Sequence, residues 1–284
     1  MKKILIVGKN SYIGQSFINY TSERGHDFEI DEVDAKNDEW KKLNFGEYHT
    51  IFHVAGIAHN SSNPKLKDLY YSVNRDLTIE VAKKAKNDGA KQFVFMSSMI
   101  VFGTKNSAIT EETVPNPDNF YGDSKLQAEK GIISLQADTF NIAIMRPPMV
   151  YGKGSKGNYP KLAKLAQKIP VFPDYDNKRS MIHIDNLMEC IAKVIELNLF
   201  GYFHPQNKEY INTSNLVKEI AKAHNHNIIT TKLFNSVISA LKTLKIFNKM
   251  FGDLYYEKKL SRYSFSYQIV DFEKSILRTE KEQK

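Results

Sequence analysis

Short apolar runs alternate with helical stretches through the first half of the chain, and this alternation constrains the fold more than any other feature. The runs that read as strands are "KILIVG", "DFEIDEV", "HTIFHVAG", "KQFVFMSS" and "FNIAIMRP". Helical patterns such as "RDLTIEVAKKAKNDG" lie between them. Apolar strands that alternate with helices are typical of a parallel sheet covered on both faces. The sequence therefore predicts an α/β, doubly wound parallel sheet, which binds ligands at the carboxyl ends of its strands.

The composition changes after Tyr151. The stretch "GKGSKGNYP" is rich in glycine and lysine, and the remainder of the chain is mostly helical with fewer strands. We therefore predict a sheet domain over residues 1–150, with a return segment near 179–200. Residues 151–284 are predicted to form a smaller, mostly helical lobe that binds the substrate. A chain of 284 residues is long enough for two such lobes.

The bulk properties exclude several classes of protein. The single cysteine, Cys190, excludes an internal disulfide framework and suits a reducing cytoplasm. No run approaches the ~20 apolar residues that cross a bilayer, so we expect no integral membrane segment. The net charge of +8 suits nucleic acid, a membrane surface or an anionic small substrate. Because the lysines are scattered and no nucleic-acid-binding signature occurs, we predict no nucleic-acid partner, and we also predict no metal site.

A basic segment near residues 235–254, "NSVISALKTLKIFNKMFGDL", carries an apolar stripe and several lysines. A basic amphipathic helix can lie on a membrane. Packing against the small lobe is the commoner role of such a stripe, and both readings stay open.

The segment "VGKNSYIG" follows the first strand and opens the first helix. A helix N-terminus offers free amides and a partial positive charge, which suit a dinucleotide pyrophosphate. Gly8 would form the tight turn and Gly14 would let the helix approach the sheet, whereas Ser11 holds the place of a middle glycine. A strand, a turn and a helix with two glycines also occur as plain structure. The candidate cofactor contacts here are Gly8, Asn10, Ser11, Tyr12, Ile13 and Gly14.

The second strand ends near two carboxylates, Glu32 and Asp34. A carboxylate at this corner would accept hydrogen bonds from the adenosine ribose and repel a 2′-phosphate. Lys9 lies near the same corner and favours the phosphate instead. We assign the ribose to Asp34 and predict NAD as the cofactor, with NADP as the alternative.

The stretch "NFYGDSK" places Tyr121 four residues before Lys125, at the apparent start of a helix. Residues at this spacing share a helix face, and a nearby cation lowers a tyrosine pKa that is ordinarily about 10. Such a tyrosine can exchange a proton with a sugar hydroxyl or ketone near neutral pH. Tyr255 and Lys259 repeat the spacing, so a solvated helix face is the alternative to a catalytic pair.

Two further stretches complete a pattern. The strand in "FVFMSSMIVFG" ends in two serines, and "IAIMRPPMVYG" leaves its strand through Pro147 and Pro148. With the glycine turn and the Tyr121–Lys125 pair in this order, the sequence resembles the extended short-chain dehydrogenase/reductase family. The segments "FHVAG", "VNRDLT" and "RSMIHIDNL" are also similar to that family and extend the match over nearly the whole chain.

The resemblance implies a Rossmann-like fold and a role for each matching residue. Tyr121 would be the acid/base, and Lys125 would bind the nicotinamide ribose and lower the pKa of Tyr121. Ser98, preferred over Ser97, would orient the substrate oxygen, and Asn74 would anchor either the helix of Tyr121 or the cofactor. The further cofactor contacts implied by the resemblance are Val54, Ala55, Gly56, Asn74, Ser97 and Pro148.

The resemblance also bears on the substrate. Dehydratases of this family carry an Asp-Glu pair where this chain has Met99 and Ile100, so we do not expect a dehydratase. Asn158 and Arg179 stand where related enzymes hold the diphosphate of a nucleotide sugar, and Met99 would also line the substrate site. A guanidinium suits phosphate, although a solvent-facing arginine is the alternative.

The stretches "NYxxP", "RSMIHIDNL" and "YFHPQNKEY" look most like enzymes of bacterial capsule and O-antigen synthesis. Our first hypothesis is an NAD(P)-dependent enzyme that reduces the 4-keto group of a UDP-2-acetamido-2,6-dideoxy-hexulose. One alternative is a UDP-sugar 4-epimerase that uses the same residues with retained NAD. Another is a non-catalytic dinucleotide-binding sensor, a class that commonly lacks the Tyr/Lys pair. The family further suggests a homodimer built on the helix of Tyr121.

Overall fold

The structure is a computed structural model that describes residues 1–58, 61, 63–241 and 244–281. The strands are β1 (Lys2–Val7), β2 (Phe28–Val33), β3 (Thr50–His53), β4 (Gln92–Met96), β5 (Ala108–Ile109), β6 (Asn141–Met145), β7 (Met149–Tyr151), β8 (Val171–Pro173), β9 (Met181–His183), β10 (Gly201–Phe203), β11 (Ile229–Thr231) and β12 (Tyr255–Tyr256). The helices are α1 (Tyr12–Arg24), α2 (Glu39–Lys42), α3 (Lys67–Tyr71), α4 (Leu77–Asp88), α5 (Phe120–Ile133), α6 (Asn158–Ala166), α7 (Ile184–Glu196), α8 (Thr213–Ala223), α9 (Asn235–Leu241), α10 (Lys245–Phe251) and α11 (Phe272–Lys281). A π-helical turn, Ser72–Asp76, joins α3 to α4.

Six strands form one parallel sheet in the order β10-β6-β4-β3-β1-β2. All five runs read as strands in the sequence lie in this sheet, which confirms the predicted α/β class. Helices cover both of its faces. Ile4 and Ile6 of β1 pack with α1 and α7 on one face, and Leu5 and Val7 pack with α4 and α5 on the other. This double burial explains why β1 is apolar at consecutive positions.

The strand order reverses between β1 and β3. In sheets of this kind the ligand lies in the crevice outside the carboxyl ends of the strands at such a point. Gly8 follows β1, Val54 follows β3 and Ser97 follows β4. The fold therefore brings the separate segments that the sequence singled out to one edge of the sheet.

A third core lies among α6, α8 and α11, around residues such as Leu216, Ile220 and Ile276. Three small sheets of two strands each accompany it: β7 with β9, β8 with β11, and β5 with β12. Between α6 and α8 the chain returns to the large sheet. There α7 packs on one face, and β10 pairs with β6 as the edge strand. The division of the chain at residue 150, with a return segment near 179–200, stays a prediction.

The predicted basic helix near 235–254 is two short helices, α9 and α10. Residues 242 and 243, between them, lie outside the described part of the chain. Among the helices that are described, none has both the length and the apolar character needed to cross a bilayer.

Candidate active site

The turn between β1 and α1 has no space for side chains at its two glycines. Gly8 has φ +128°, and a Cβ there would lie 2.7 Å from the backbone nitrogen of Ala55. A Cβ on Gly14 would lie 2.7 Å from Ser11 Oγ and 3.1 Å from Ile6 Cγ2. Gly8 therefore lets the turn meet the segment after β3, and Gly14 lets α1 pack closely on β1.

Ser11, at the place of the middle glycine, is the N-cap of α1. Its Oγ accepts a hydrogen bond of 3.1 Å from the amide of Gly14. The amides of Tyr12 and Ile13 lie in the first helical turn, where no intrahelical acceptor exists, so they can donate to a phosphate. The phenol of Tyr12 packs against Gly152, where a Cβ would lie 3.1 Å from its oxygen, and burial raises its pKa.

Glu32, rather than Asp34, is the carboxylate held beside this turn. Gln15 Nε2 donates to both carboxylate oxygens of Glu32 at 2.8 Å, and the amide of Asn10 donates to one of them at 3.4 Å. Asp34 accepts from the amide of Lys36 in the following loop, so its assignment to the ribose stays a prediction without such support. The alternation of β2 gave no signal for this choice, because Glu32 and Asp34 are two residues apart and fall on the same side of the strand as Ile30.

Lys125 is held at the carboxyl end of β4. Its Nζ donates to the carbonyl of Met96 at 2.8 Å and lies 4.7 Å from the ring centroid of Phe95. A Cβ on Gly56 would lie only 3.0 Å from the same nitrogen, so the ammonium abuts the segment after β3. Burial lowers the pKa of Lys125 to about 8, and the charge of Glu129 opposes this shift.

Tyr121 lies in the first turn of α5, with the ring of Tyr70 against its own at 6.0 Å. Burial raises the pKa of Tyr121 to about 12, although a hydrogen bond with the Ser98 side chain acts in the opposite direction. Burial is the largest cause of this shift, and the expectation that Lys125 lowers the pKa of Tyr121 stays a prediction. The phenol is protonated at neutral pH.

Ser98 and Tyr121 are brought together by a close approach of α5 to the short 3₁₀ turn Met99–Phe102. Ser98 caps that turn by accepting from the amide of Ile100 at 3.3 Å. Gly122 presses on the same turn, since a Cβ there would lie 2.7 Å from the carbonyl oxygen of Ile100. Asn119 caps α5 by accepting from the amide of Gly122 at 3.0 Å. The cap at Asn119 and the small residue at Gly122 thus fix the position of the Tyr121 phenol between them.

A buried network behind these residues was not found from the sequence. Arg146 donates from Nε to Glu129 Oε1 at 3.1 Å and from Nη2 to Oε2 at 2.6 Å. The two residues are 6% and 1% exposed. Ser97 also donates to Glu129, so its hydroxyl is directed into this network and the predicted cofactor role finds no contact to support it. The signal in the sequence was an arginine inside the apolar segment "IAIMRPPMV", whereas Glu129, between Gln127 and Lys130, gave none.

Asn74 ties the helix of Tyr121 to the loop after β3. It accepts from the amide of Ile57 at 2.8 Å and donates to the carbonyl of Ile57 at 3.0 Å. Its Nδ2 also donates to Ser124 Oγ on α5 at 3.1 Å. Of the two roles expected for Asn74, these contacts support the anchoring of α5.

Besides Ser98 and Tyr121, three more residues were predicted to bind substrate, and they lie in different settings. Arg179 is half-buried and donates from Nη1 to the carbonyl of Gly252 at 2.8 Å. Burial lowers the pKa of Arg179 and Asp253 opposes the shift, so a solvent-facing arginine does not describe it. Asn158 is exposed at the start of α6, and Met99 is buried in a core cluster. Pro148 is buried where the chain leaves β6.

The comparison with known proteins agrees with this geometry. The model of the NAD dependent epimerase/dehydratase family matches residues 4–202. The UDP-glucose 4-epimerase of Vibrio cholerae is 29% identical over 264 residues, which cover 86% of this chain and 76% of that protein. The N-acetyl-alpha-D-glucosaminyl-diphospho-ditrans,octacis-undecaprenol 4-epimerase of Escherichia coli O157:H7 is 24% identical over 244 residues, covering 79% and 73%.

The fold is also shared with solved structures. The dTDP-4-dehydrorhamnose reductase of Bacillus anthracis, in complex with NADP, superimposes with a TM-score of 0.73 over all of both chains at 21% identity. The likeness at this identity concerns the fold.

Proposed function

The chain belongs to the NAD dependent epimerase/dehydratase family, and from that premise we propose that it reduces the 4-keto group of a UDP-2-acetamido-2,6-dideoxy-hexulose in surface polysaccharide synthesis. The observation that carries the proposal is the half-buried phenol of Tyr121, which lies beside the Ser98 side chain and keeps its proton at neutral pH. A protonated phenol can donate to a carbonyl oxygen as that oxygen gains negative charge, which is the direction of reduction.

The crevice fits a dinucleotide. A side chain at Gly8 would collide with the backbone of Ala55, and α1 begins directly beside this turn with free amides. When bound, the nicotinamide supplies or accepts the hydride. The backbone of residues 8–14 would hold the pyrophosphate and Glu32 would hold the adenosine ribose. Lys125, fixed on the Met96 carbonyl, would hold the nicotinamide ribose.

The remaining roles, proton transfer and substrate binding, fall to side chains of the protein. Tyr121 carries the proton at its phenolic oxygen, and Ser98 hydrogen-bonds this phenol, so the two side chains can share one substrate oxygen. Met99 and Ile100 carry no ionisable group next to Ser98, which leaves no acid and base for a dehydration. The half-buried guanidinium of Arg179 is suited to a diphosphate.

A second candidate is a 4-epimerase, because the relatives from Vibrio cholerae and Escherichia coli O157:H7 are both named as 4-epimerases. The name of the second relative describes a sugar on an undecaprenol diphosphate, so a lipid-linked sugar is a second substrate class for this candidate. An epimerase also needs Tyr121 to take up a proton, and its pKa would then have to fall when the ligands bind.

Product analysis by NMR distinguishes the candidates. The purified protein is incubated with UDP-4-keto-6-deoxy-GlcNAc and either NADH or NADPH, and the absorbance of the reduced nicotinamide is followed. We expect consumption of the reduced cofactor in step with a C4 alcohol. Interconversion of UDP-glucose and UDP-galactose, or of the N-acetylated pair, without net cofactor consumption would favour the epimerase. Cofactor binding with no turnover of any of these sugars would favour the non-catalytic sensor.

A further inference from the structure

The small lobe exposes a group of apolar side chains on the β8–β11 pair and on the segment that follows β11, which we call the apolar patch. Its members are Val171, Ile229, Leu233, Phe234, Val237 and Leu244. Leu233 is 85% exposed and Ile229 is 68% exposed. Exposed apolar side chains are common when single, but a contiguous group of large ones marks a contact surface.

The patch stands on ordered structure. Val171 and Ile229 are direct partners in the β8–β11 pair, so their side chains lie next to each other. Ile238 of α9 is buried in the third core, and Asn235 Nδ2 donates to the carbonyl of Asp174 at 2.9 Å. These contacts fix α9 on the lobe and leave Val237 on its outer side.

The two segments that carry the patch, residues 168–176 and 227–252, contain five lysines and two carboxylates, Asp174 and Asp176. Residues 227–252 contain four lysines and neither aspartate nor glutamate. Lys232 and Lys249 are exposed in the described part of this segment, and Lys168 is exposed shortly before β8. Apolar side chains among lysines are the composition of surfaces that enter the boundary between lipid headgroups and acyl chains.

We propose that the apolar patch docks on a membrane surface that contains anionic lipids. Leu233 and Phe234 would enter the headgroup boundary, and Lys232 and Lys249 would contact lipid phosphates. A second copy of the chain fits less well. A two-fold interface would place this lysine-rich segment against itself, and lysine is depleted at the centres of protein interfaces.

The patch is joined to the candidate substrate site through α10. Leu244 precedes this helix and Gly252, whose carbonyl accepts from Arg179, follows it. A helix of this length separates the two ends by about 12 Å. Docking would therefore hold Arg179 close to the bilayer, which suits a sugar diphosphate carried on a lipid, the second substrate class of the 4-epimerase candidate on which this step rests.

Vesicle flotation of the full chain tests the docking. Vesicles of phosphatidylcholine alone are compared with vesicles of phosphatidylcholine and phosphatidylglycerol in equal amounts. We expect the protein to float with the anionic vesicles and to be released by high salt. The double variant Leu233→Asn, Phe234→Asn should bind at least about tenfold more weakly. Lys232→Gln and Lys249→Gln should each weaken binding about fivefold.

The matched control is Leu197→Asn with Phe200→Asn, two apolar side chains of similar exposure (52% and 64%) outside the patch, which should float like the unaltered protein. A protein that stays out of the anionic vesicle fraction overturns the proposal, as does an equal loss of binding in the control. A dimer that becomes monomeric only in the Leu233→Asn, Phe234→Asn variant would assign the patch to a second copy instead. Turnover of a soluble UDP-sugar should be unchanged in the patch variant, so docking and the proposed function can fail separately.

Discussion

The crevice of the large sheet and the small lobe hold their functional side chains in different ways. In the crevice, Lys125 bonds the end of a central strand, and the Glu129–Arg146 pair fixes the same helix from behind. In the small lobe, Arg179 stands between strands of two or three residues and bonds the carbonyl of Gly252. The crevice is thus built for a fixed reaction geometry. In the lobe, the backbone of Arg179 pairs with that of Ile211, and its guanidinium bonds a loop carbonyl.

The largest expected effect is in the crevice. Replacing Tyr121 with Phe removes the proton carrier, so turnover should fall by about 10²–10⁴-fold while cofactor binding is retained. The matched control is Tyr255→Phe, because Tyr255 has a lysine at the same spacing but lies in strand β12. Steady-state kinetics measures both variants. An active Tyr121→Phe protein would remove the assigned role.

The buried ion pair gives the next effect. Arg146→Met leaves the Glu129 carboxylate without its partner in the core, which should lower the free energy of unfolding by about 3–5 kcal/mol. Denaturant titration measures the change, and adding Glu129→Gln in the same chain should recover part of it. Lys42→Met, which breaks an exposed pair with Glu39, is the control and should leave stability unchanged. Equal stability of Arg146→Met and the unaltered protein would mean that the pair does not fix α5.

In the small lobe, Arg179→Ala should weaken UDP binding by roughly 10–100-fold, because charge-assisted hydrogen bonds to a phosphate are lost. Isothermal calorimetry with UDP measures the affinity. Arg262→Ala, at an exposed arginine, is the control. Unchanged affinity in the Arg179 variant would leave this guanidinium with the structural role of holding Gly252.

Glu32 and Asp34 can be compared directly. Glu32→Gln should reduce the preference for NADH over NADPH by roughly tenfold, the effect of one charge-assisted hydrogen bond. Asp34→Asn should change it little, because Asp34 is engaged by the following loop. Titration with both reduced cofactors gives the ratio. The reverse outcome would restore the ribose role to Asp34.

Two lysines with a lowered pKa, one in each region, provide the smallest expected effect. Burial lowers the pKa of both Lys125 and Lys258 to about 8. A lysine is charged below its pKa, so affinity for NADH should fall a few-fold as pH rises through about 8. This pH dependence should persist in Lys258→Met and disappear in Lys125→Met. Its persistence in Lys125→Met would exclude Lys125 as the titrating group.

The large sheet could be predicted from the sequence more fully than the small lobe. The strands of the large sheet are four to six residues long except at its β10 edge, and their apolar runs identified the fold class. The small lobe uses strands of two or three residues, which are too short to show a period. The segment near 235–254 was read as one helix because its stripe continues across the interval between α9 and α10.

Within the site, spacing identified Tyr121 and Lys125, and capping by Asn119 agrees with the helix start that the sequence suggested. The raised pKa of Tyr121 and the pairing of Glu129 with Arg146 depend on burial and on contacts between distant segments. A single sequence does not report either quantity. The choice between Glu32 and Asp34 also depends on contacts between distant segments, because alternation along β2 places residues 32 and 34 on the same side of the strand.

The two adjacent serines after β4 limit where homologous chains can gain or lose residues. The Ser97 hydroxyl bonds Glu129, whereas the Ser98 hydroxyl interacts with Tyr121. The two neighbouring side chains therefore point to opposite sides of the backbone. Deleting a single residue from β4 would bring Ser98 to the place of Ser97 and Met99 to the place of Ser98, which leaves the phenol without its partner. We therefore expect homologous chains to gain or lose residues in outer connections such as 152–157, and to keep the length between the centre of the sheet and this pair.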